Sequence, residues 1–99
     1  MQATPNRFEY EVGYTCGGCS KAVDRILGKL KDVNGFQAWH VPDWEQKRAY
    51  AWFDSGEDTA AVQAEIDAKL QKWSDASQKP FKFLSVAAAE VDAEAKKPE

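Results

Sequence analysis

Cys16 and Cys19 are the only cysteines in the chain, and only Gly17 and Gly18 separate them. Two thiols at this spacing can bind a soft metal ion, cycle between dithiol and disulfide, or supply half of a structural zinc site. A zinc site needs further ligands, and the chain offers no third cysteine and a single histidine, His40, far away in sequence. Two cysteines can also pack as small apolar groups in a core. The flanking glycines and a loop setting argue instead for exposure.

The elements on either side place the thiols. Upstream, Phe8, Tyr10, Val12 and Tyr14 alternate with Arg7, Glu9, Glu11 and Gly13, which predicts a half-buried strand over about residues 7–14. Downstream, Ala22, Val23, Ile26, Leu27, Leu30 and Val33 recur at helical spacing. The helix is expected from near Cys19 to Lys31, stopping before Asn34-Gly35. The thiols therefore fall at a strand-to-helix junction, where backbone N–H groups lack partners and the helix dipole is positive. Such a place favours thiolate over thiol. Gly17 and Gly18 are expected to give the backbone conformations closed to other residues, turning both sulfurs toward one point.

The run Tyr14-Thr-Cys-Gly-Gly-Cys-Ser-Lys-Ala-Val23, followed by Ile26-Leu27 and Leu30, resembles the metal loop and first helix of heavy-metal-associated domains. Within that family it looks most like the small cytosolic copper chaperones that deliver Cu(I) to copper-transporting P-type ATPases. The resemblance continues through Asn34-Gly35-Phe36, the hairpin around Glu45-Gln-Lys-Arg48 and a second helix, covering roughly residues 7–86. It implies Cys16 and Cys19 as Cu(I) ligands and the amino-terminal metal domain of such an ATPase as partner. The chain departs from the family at Tyr14, where relatives carry a methionine that packs beneath the loop and is not a ligand. Tyr14 is expected in that slot, and a buried tyrosine normally finds a partner for its hydroxyl.

Along the rest of the chain, residues 1–6 read as a short mobile arm. Gly28 inside the first helix signals a tight contact or a weak spot. Lys21, Arg25 and Lys29 are four apart and form an exposed stripe beginning beside the thiols, either solvated decoration or a docking face for an acidic partner. Phe36–Val41 and Lys47–Phe53 predict a hairpin turned by residues 42–46. If Ala49, Ala51 and Phe53 face inward, Tyr50 and Trp52 lie on the open side of the sheet, as a contact surface or as cross-strand pairs. Capping residues at Ser55–Thr59 precede a helix carrying Val62, Ile66, Leu70 and Trp73, with Lys69 and Lys72 near its end. Residues 74–79 read as a loop, and Phe81–Val86 as the last strand. Residues 87–99 form a tail, helical or disordered, or lying over the open sheet face.

The order strand, helix, strand, strand, helix, strand predicts an α+β, ferredoxin-like βαββαβ fold, a four-stranded antiparallel sheet with two helices on one face. That fold brings the loop before the last strand close to the cysteine loop, and so Lys79 near Cys16 and Cys19; the family has a lysine at the matching position. With Thr15, Gly17 and Gly18, Tyr14 and Lys79 complete the expected supporting set. Ninety-nine residues, 43% hydrophobic and 29% charged, suit one small domain. A net charge of −3 argues against a general nucleic-acid binder. No apolar run suggests a signal peptide or membrane insertion, so the expected address is the cytoplasm, where a thiol pair stays reduced. The function expected is a non-enzymatic Cu(I) chaperone working by ligand exchange, with metal-bridged homodimers as one loaded form. The alternatives are a thiol–disulfide oxidoreductase, a binder of another soft metal such as mercury or cadmium, and an interaction domain using Tyr50 and Trp52.

Overall fold

Alternation in sequence becomes a buried face in the first strand. In the computed structural model, which describes residues 4–98, β1 (Asn6–Val12) turns Phe8, Tyr10 and Val12 inward, each at most 1% exposed. The chain continues through α1 (Gly17–Gly28), a 3-10 turn over Lys29–Asp32, β2 (Phe36–His40) and β3 (Arg48–Phe53). It ends with α2 (Thr59–Ser77) and β4 (Phe81–Ala88). The strands form one antiparallel sheet in the order β2-β3-β1-β4, which is the ferredoxin-like arrangement. Val23 and Leu27 of α1 join Val62, Ile66, Leu70 and Trp73 of α2 over Ala49, Ala51 and Phe53 of β3 in a single core. Buried hydroxyls are satisfied across layers: Tyr10 donates from Oη to Asp67 Oδ1 at 2.7 Å, tying β1 to α2.

Several boundaries move for identifiable reasons. The first helix begins at Gly17, earlier than expected, and narrows to a 3-10 turn before Asn34; Gly35 then takes a φ of 85°, a conformation that suits glycine. Gly28 marks a tight contact, since a Cβ there would sit 3.1 Å from Trp39 Cζ2. The Trp39 indole N–H donates to Asp24 Oδ1 at 2.9 Å. The loop expected over residues 74–79 is instead mostly helix. Trp73 packs edge-on against Tyr14, Ser77 Oγ donates to the Trp73 carbonyl and Gln71 bonds Asp75, so α2 runs on to Ser77. Lys69 and Lys72 consequently lie short of its last turn, which holds no basic residue.

Both ends of the described chain are tied into the sheet. Residues 1–3 of the expected arm lie outside the described residues, while Asn6 already pairs with Phe53 and Ala88, and the Pro5 carbonyl accepts the Ala89 N–H. Of the alternatives for the tail, the one that lies over the open sheet face holds for residues 89–98. From β4 at one sheet edge it crosses the face opposite the helices, where the Glu90 carbonyl accepts the Trp52 indole N–H at 3.1 Å. It then pairs with β2 at the other edge: Trp39 and Lys96 exchange two backbone hydrogen bonds of 3.0 and 2.8 Å. Lys96 Nζ reaches Asp24 on α1 at 2.6 Å, and Glu94 lies 3.7 Å from His40 Nε2.

This strap leaves Trp52 at 0% exposed, so Tyr50 and Trp52 do not form an open contact surface, while the cross-strand alternative holds for Tyr50. Tyr50 remains half-buried, stacked on His40, with the Arg7 guanidinium 5.3 Å from its ring centroid. Ending the chain at Ala88 should therefore red-shift tryptophan emission and lower stability by about 2 kcal/mol, the order expected for uncovering one large aromatic. Emission and denaturation midpoint both unchanged would show that the strap contributes nothing to the fold.

Candidate metal centre

The strand expected over about residues 7–14 stops at Val12, and the site is built by a buried anchor two residues beyond it, Tyr14, with α1 starting three residues after the anchor. Tyr14 is 0% exposed, donates from Oη to the Arg48 carbonyl at 3.2 Å and meets Trp73 edge-on. It occupies the slot beneath the loop, and its hydroxyl is met by backbone, not by sulfur. Burial, with the nearby Asp24 and Cys19 charges, raises its pKa, so the phenol stays a donor. Thr15 and Cys16 then emerge into solvent.

Cys16 is the residue immediately before the helix, with extended backbone (φ −164°, ψ 170°), and its thiol makes no capping bond. Cys19 lies one turn in; its N–H donates to the Cys16 carbonyl at 3.1 Å, and Ser20 Oγ donates to the Gly17 carbonyl at 2.9 Å. These bonds close the first turn and bring the two sulfurs to 3.8 Å from each other, with Thr15 Oγ1 also 3.8 Å from Cys19 Sγ. Both cysteines are free; Cys16 is exposed and Cys19 half-buried. A disulfide requires about 2.05 Å, so this is a reduced pair poised to share a guest or to close with a small movement.

The electrostatics favour ionisation of the inner thiol. A backbone hydrogen bond from Thr15 lowers the Cys19 pKa to about 7, helped by the Thr15 hydroxyl and the Cys16 thiol and opposed by partial desolvation. The first turn of α1 carries no acidic residue to repel the thiolate.

Gly17 and Gly18 act differently from expectation. Both are ordinary helical residues of α1, and neither has a positive φ. What they provide is clearance: a Cβ on Gly18 would lie 3.7 Å from Cys16 Sγ, and one on Gly17 would lie 3.8 Å from Trp44 Cδ1. Their lack of side chains leaves the sulfurs open from the solvent side.

Among the other expected residues, Lys21, Arg25 and Lys29 are exposed, and among the described residues none of the three forms an ion pair. The turn before β4 does meet the end of β1, since Gly13 N–H donates to the Pro80 carbonyl at 2.8 Å. Lys79 contributes its carbonyl, which accepts Ser74 Oγ at 2.6 Å; its ammonium makes no hydrogen bond to either sulfur. His40 is occupied with Glu94 and Tyr50. Among the described residues, no group of three or more His, Cys, Asp or Glu side chains is arranged to hold a metal. A four-ligand zinc site within the described chain has no support.

Two neighbours escaped the sequence reading, Trp44 beside Gly17 and Lys47, whose Nζ donates to the Tyr14 carbonyl at 3.3 Å. Only the fold topology, which sets the β2–β3 turn at the same end as the cysteine loop, carries a signal for them.

Comparison of the chain with protein-family models, curated proteins and solved structures finds no match. The resemblance to heavy-metal-associated domains accordingly rests on the loop residues and the order of elements.

Alkylation of Cys19, followed site by site with mass spectrometry, should rise with pH through a midpoint near 7, because only the thiolate reacts. A midpoint in the ordinary range near ~8.5 would show that the Thr15 amide does not stabilise it. Gly18→Ala should keep the fold and raise stability by about 0.5 kcal/mol, since alanine is the better helix former and no positive φ is needed. A clear loss of stability in the reduced protein would restore the conformational role.

Proposed function

We propose that this protein carries Cu(I) between thiolate sites and surrenders it by ligand exchange. The observation that supports this best is the paired sulfurs, 3.8 Å apart, open to solvent at a helix start and without a third ligand gathered from the described residues. Soft thiolates select Cu(I) over harder cytosolic ions, and two of them leave the ion accessible to further sulfur. An incoming partner cysteine attacks the bound ion to give a three-sulfur intermediate, and then Cys16 or Cys19 departs. Exposed Cys16 is the natural first to leave, while Cys19 is held by Thr15.

The partner suggested by the family resemblance is the amino-terminal metal domain of a copper-transporting P-type ATPase, and the address is the cytosol. No helix among the described residues is long and apolar enough to cross a membrane. Lys21, Arg25 and Lys29 lead away from the thiols along α1 and into the 3-10 turn that follows it, and offer an acidic partner surface positive charge unpaired among the described residues. A second copy presenting its own thiol pair gives a metal-bridged homodimer by the same chemistry.

A redox reading has one observation in its favour, the Cys19 pKa near 7, a value also suited to thiol–disulfide exchange. Against it, the described strands form a wholly antiparallel sheet, and among the described residues no strand and helix stand ahead of β1 as they do ahead of the active strand in thioredoxin-type folds.

Anaerobic titration of the reduced protein against a chromophoric chelator should give one Cu(I) per chain with affinity far tighter than micromolar, abolished in Cys16→Ser/Cys19→Ser. Weak binding, or tight binding that survives the double substitution, rules the proposal out. Preference for mercury or cadmium in the same competition reassigns the cargo, and turnover in an insulin-reduction assay favours the redox reading.

A further inference from the structure

Besides covering the sheet, the strap walls a groove against α1. Lys96 exchanges backbone hydrogen bonds of 3.0 and 2.8 Å with Trp39, and its Nζ reaches across to Asp24 Oδ2 at 2.6 Å. The other oxygen of that carboxylate accepts the Trp39 indole N–H at 2.9 Å. One carboxylate thus fastens helix, edge strand and strap together and fixes the indole as a wall. Two hollows follow this seam, and Lys96 lines both. The nearer, of about 260 Å³, begins at Ser20 and Lys21, directly after Cys19. The farther, of about 510 Å³, is lined by Gly28, Lys31, Trp39, Lys96, Lys97 and Pro98.

The farther hollow gathers three lysines and, among the described residues, no acid, in a chain whose net charge is −3. Asp24 offsets Lys96, but Lys31 and Lys97 are exposed and neither forms an ion pair among the described residues. Ammonium groups collected without a counter-charge raise the local potential and draw in an anion. The Trp39 ring and Pro98 add apolar wall between them, and Gly28 lets the indole lie against the helix backbone, since a Cβ there would sit 3.1 Å from Trp39 Cζ2. Toward the thiols, Lys21, Arg25 and Lys29 run beside the seam. From Ser20 to Lys31 the seam extends about 16 Å at the helical rise, a length that about five residues of extended chain cover. A compact anion would fill one hollow and leave the other cations unused, whereas a chain with alternating acidic and apolar side chains meets them all.

We propose that the seam between α1 and the strap is a docking groove for an extended acidic segment of a partner protein, whose apolar side chain rests against Trp39 and Pro98 while its carboxylates meet Lys31 and Lys97. The segment continues toward Ser20 and so brings its other end beside the thiol pair. This deepens the docking reading of the α1 stripe, on which it rests, and does not depend on the cargo the thiols carry.

The test titrates the isotopically labelled, reduced, metal-free full chain with a peptide of sequence Glu-Asp-Leu-Asp-Glu, blocked at both ends, and with its uncharged counterpart Gln-Asn-Leu-Asn-Gln. The acidic peptide should move the Trp39 indole N–H resonance to saturation and leave that of Trp73 in place, and the uncharged one should bind at least tenfold more weakly. Lys31→Glu with Lys97→Glu should weaken binding about tenfold, the order expected for losing two exposed charge contacts. Lys72→Glu with Lys82→Glu, which changes net charge equally away from the groove, should leave it intact. Lys31 and Lys97 take no part in the Trp39–Lys96 backbone pair, and an unshifted Trp39 indole in the free variant shows that the strap is still seated. Cys16→Ser with Cys19→Ser should bind the peptide as the unaltered chain does, so a failure of Cu(I) binding and a failure of the groove are read separately. Equal weakening by the two lysine pairs, or an unmoved Trp39 resonance, overturns the proposal. So does inorganic tripolyphosphate binding as tightly as the peptide, which makes the groove a small-anion site, and so do Trp39 shifts that grow with protein concentration alone, which place a second copy there.

Discussion

The geometry of the thiol pair depends on Tyr14 being pinned. A strand that ends in solvent would leave the following loop free to drift, but here the last inward-facing side chain of the run is a phenol with no exposure. A buried hydroxyl must find an acceptor or cost several times the net worth of a hydrogen bond. The Arg48 carbonyl is that acceptor, and the Trp73 ring closes the other side. Sheet, second helix and loop are thus fastened at one residue, and Cys16 starts two positions later. An unbranched thioether in this slot would fill it without the polar requirement and would leave the junction to packing alone.

Around that anchor the fold gathers three connections at one end: the cysteine loop, the β2–β3 turn and the turn before β4. The second supplies Lys47 and Trp44, and the third supplies the Pro80 carbonyl to Gly13. None of these groups crowds the sulfurs from solvent. Positive charge is kept at the flank, while Asp24, the one acid of α1, is taken up by the Trp39 indole and Lys96. The exposed side of that helix is left with cations, although the chain as a whole is acidic.

Much of this was legible in residue order. Period-two and helical spacing located all four strands and both helices, because each element buries one face against a common core. The thiols announced themselves by type and spacing. What escaped were features decided by tertiary contact. Polar residues 74–77 look like loop until Trp73 is packed and Ser77 turns back on it. The glycines between the cysteines look like conformational devices until their helical backbone is seen, when clearance is all they provide. Lys47 looks like any turn lysine, since nothing local marks a left-handed residue lacking glycine or asparagine. The alanine-rich tail carries no periodicity because its partners, Trp52 and the edge of β2, lie 38 and more residues back along the chain.

The path of that tail bears on how the molecule is made. The ribosome releases residues 89–98 after every strand they cover, so a nascent chain can complete its helix-side core while the reverse of the sheet is still wet. During that interval Trp52 and the backbone groups of Trp39 stand available to anything nearby with a strand to offer. Closure replaces this opportunity with an intramolecular seam, so that residues 89–98, which follow every strand they cover, end the sheet's exposure to wrong neighbours.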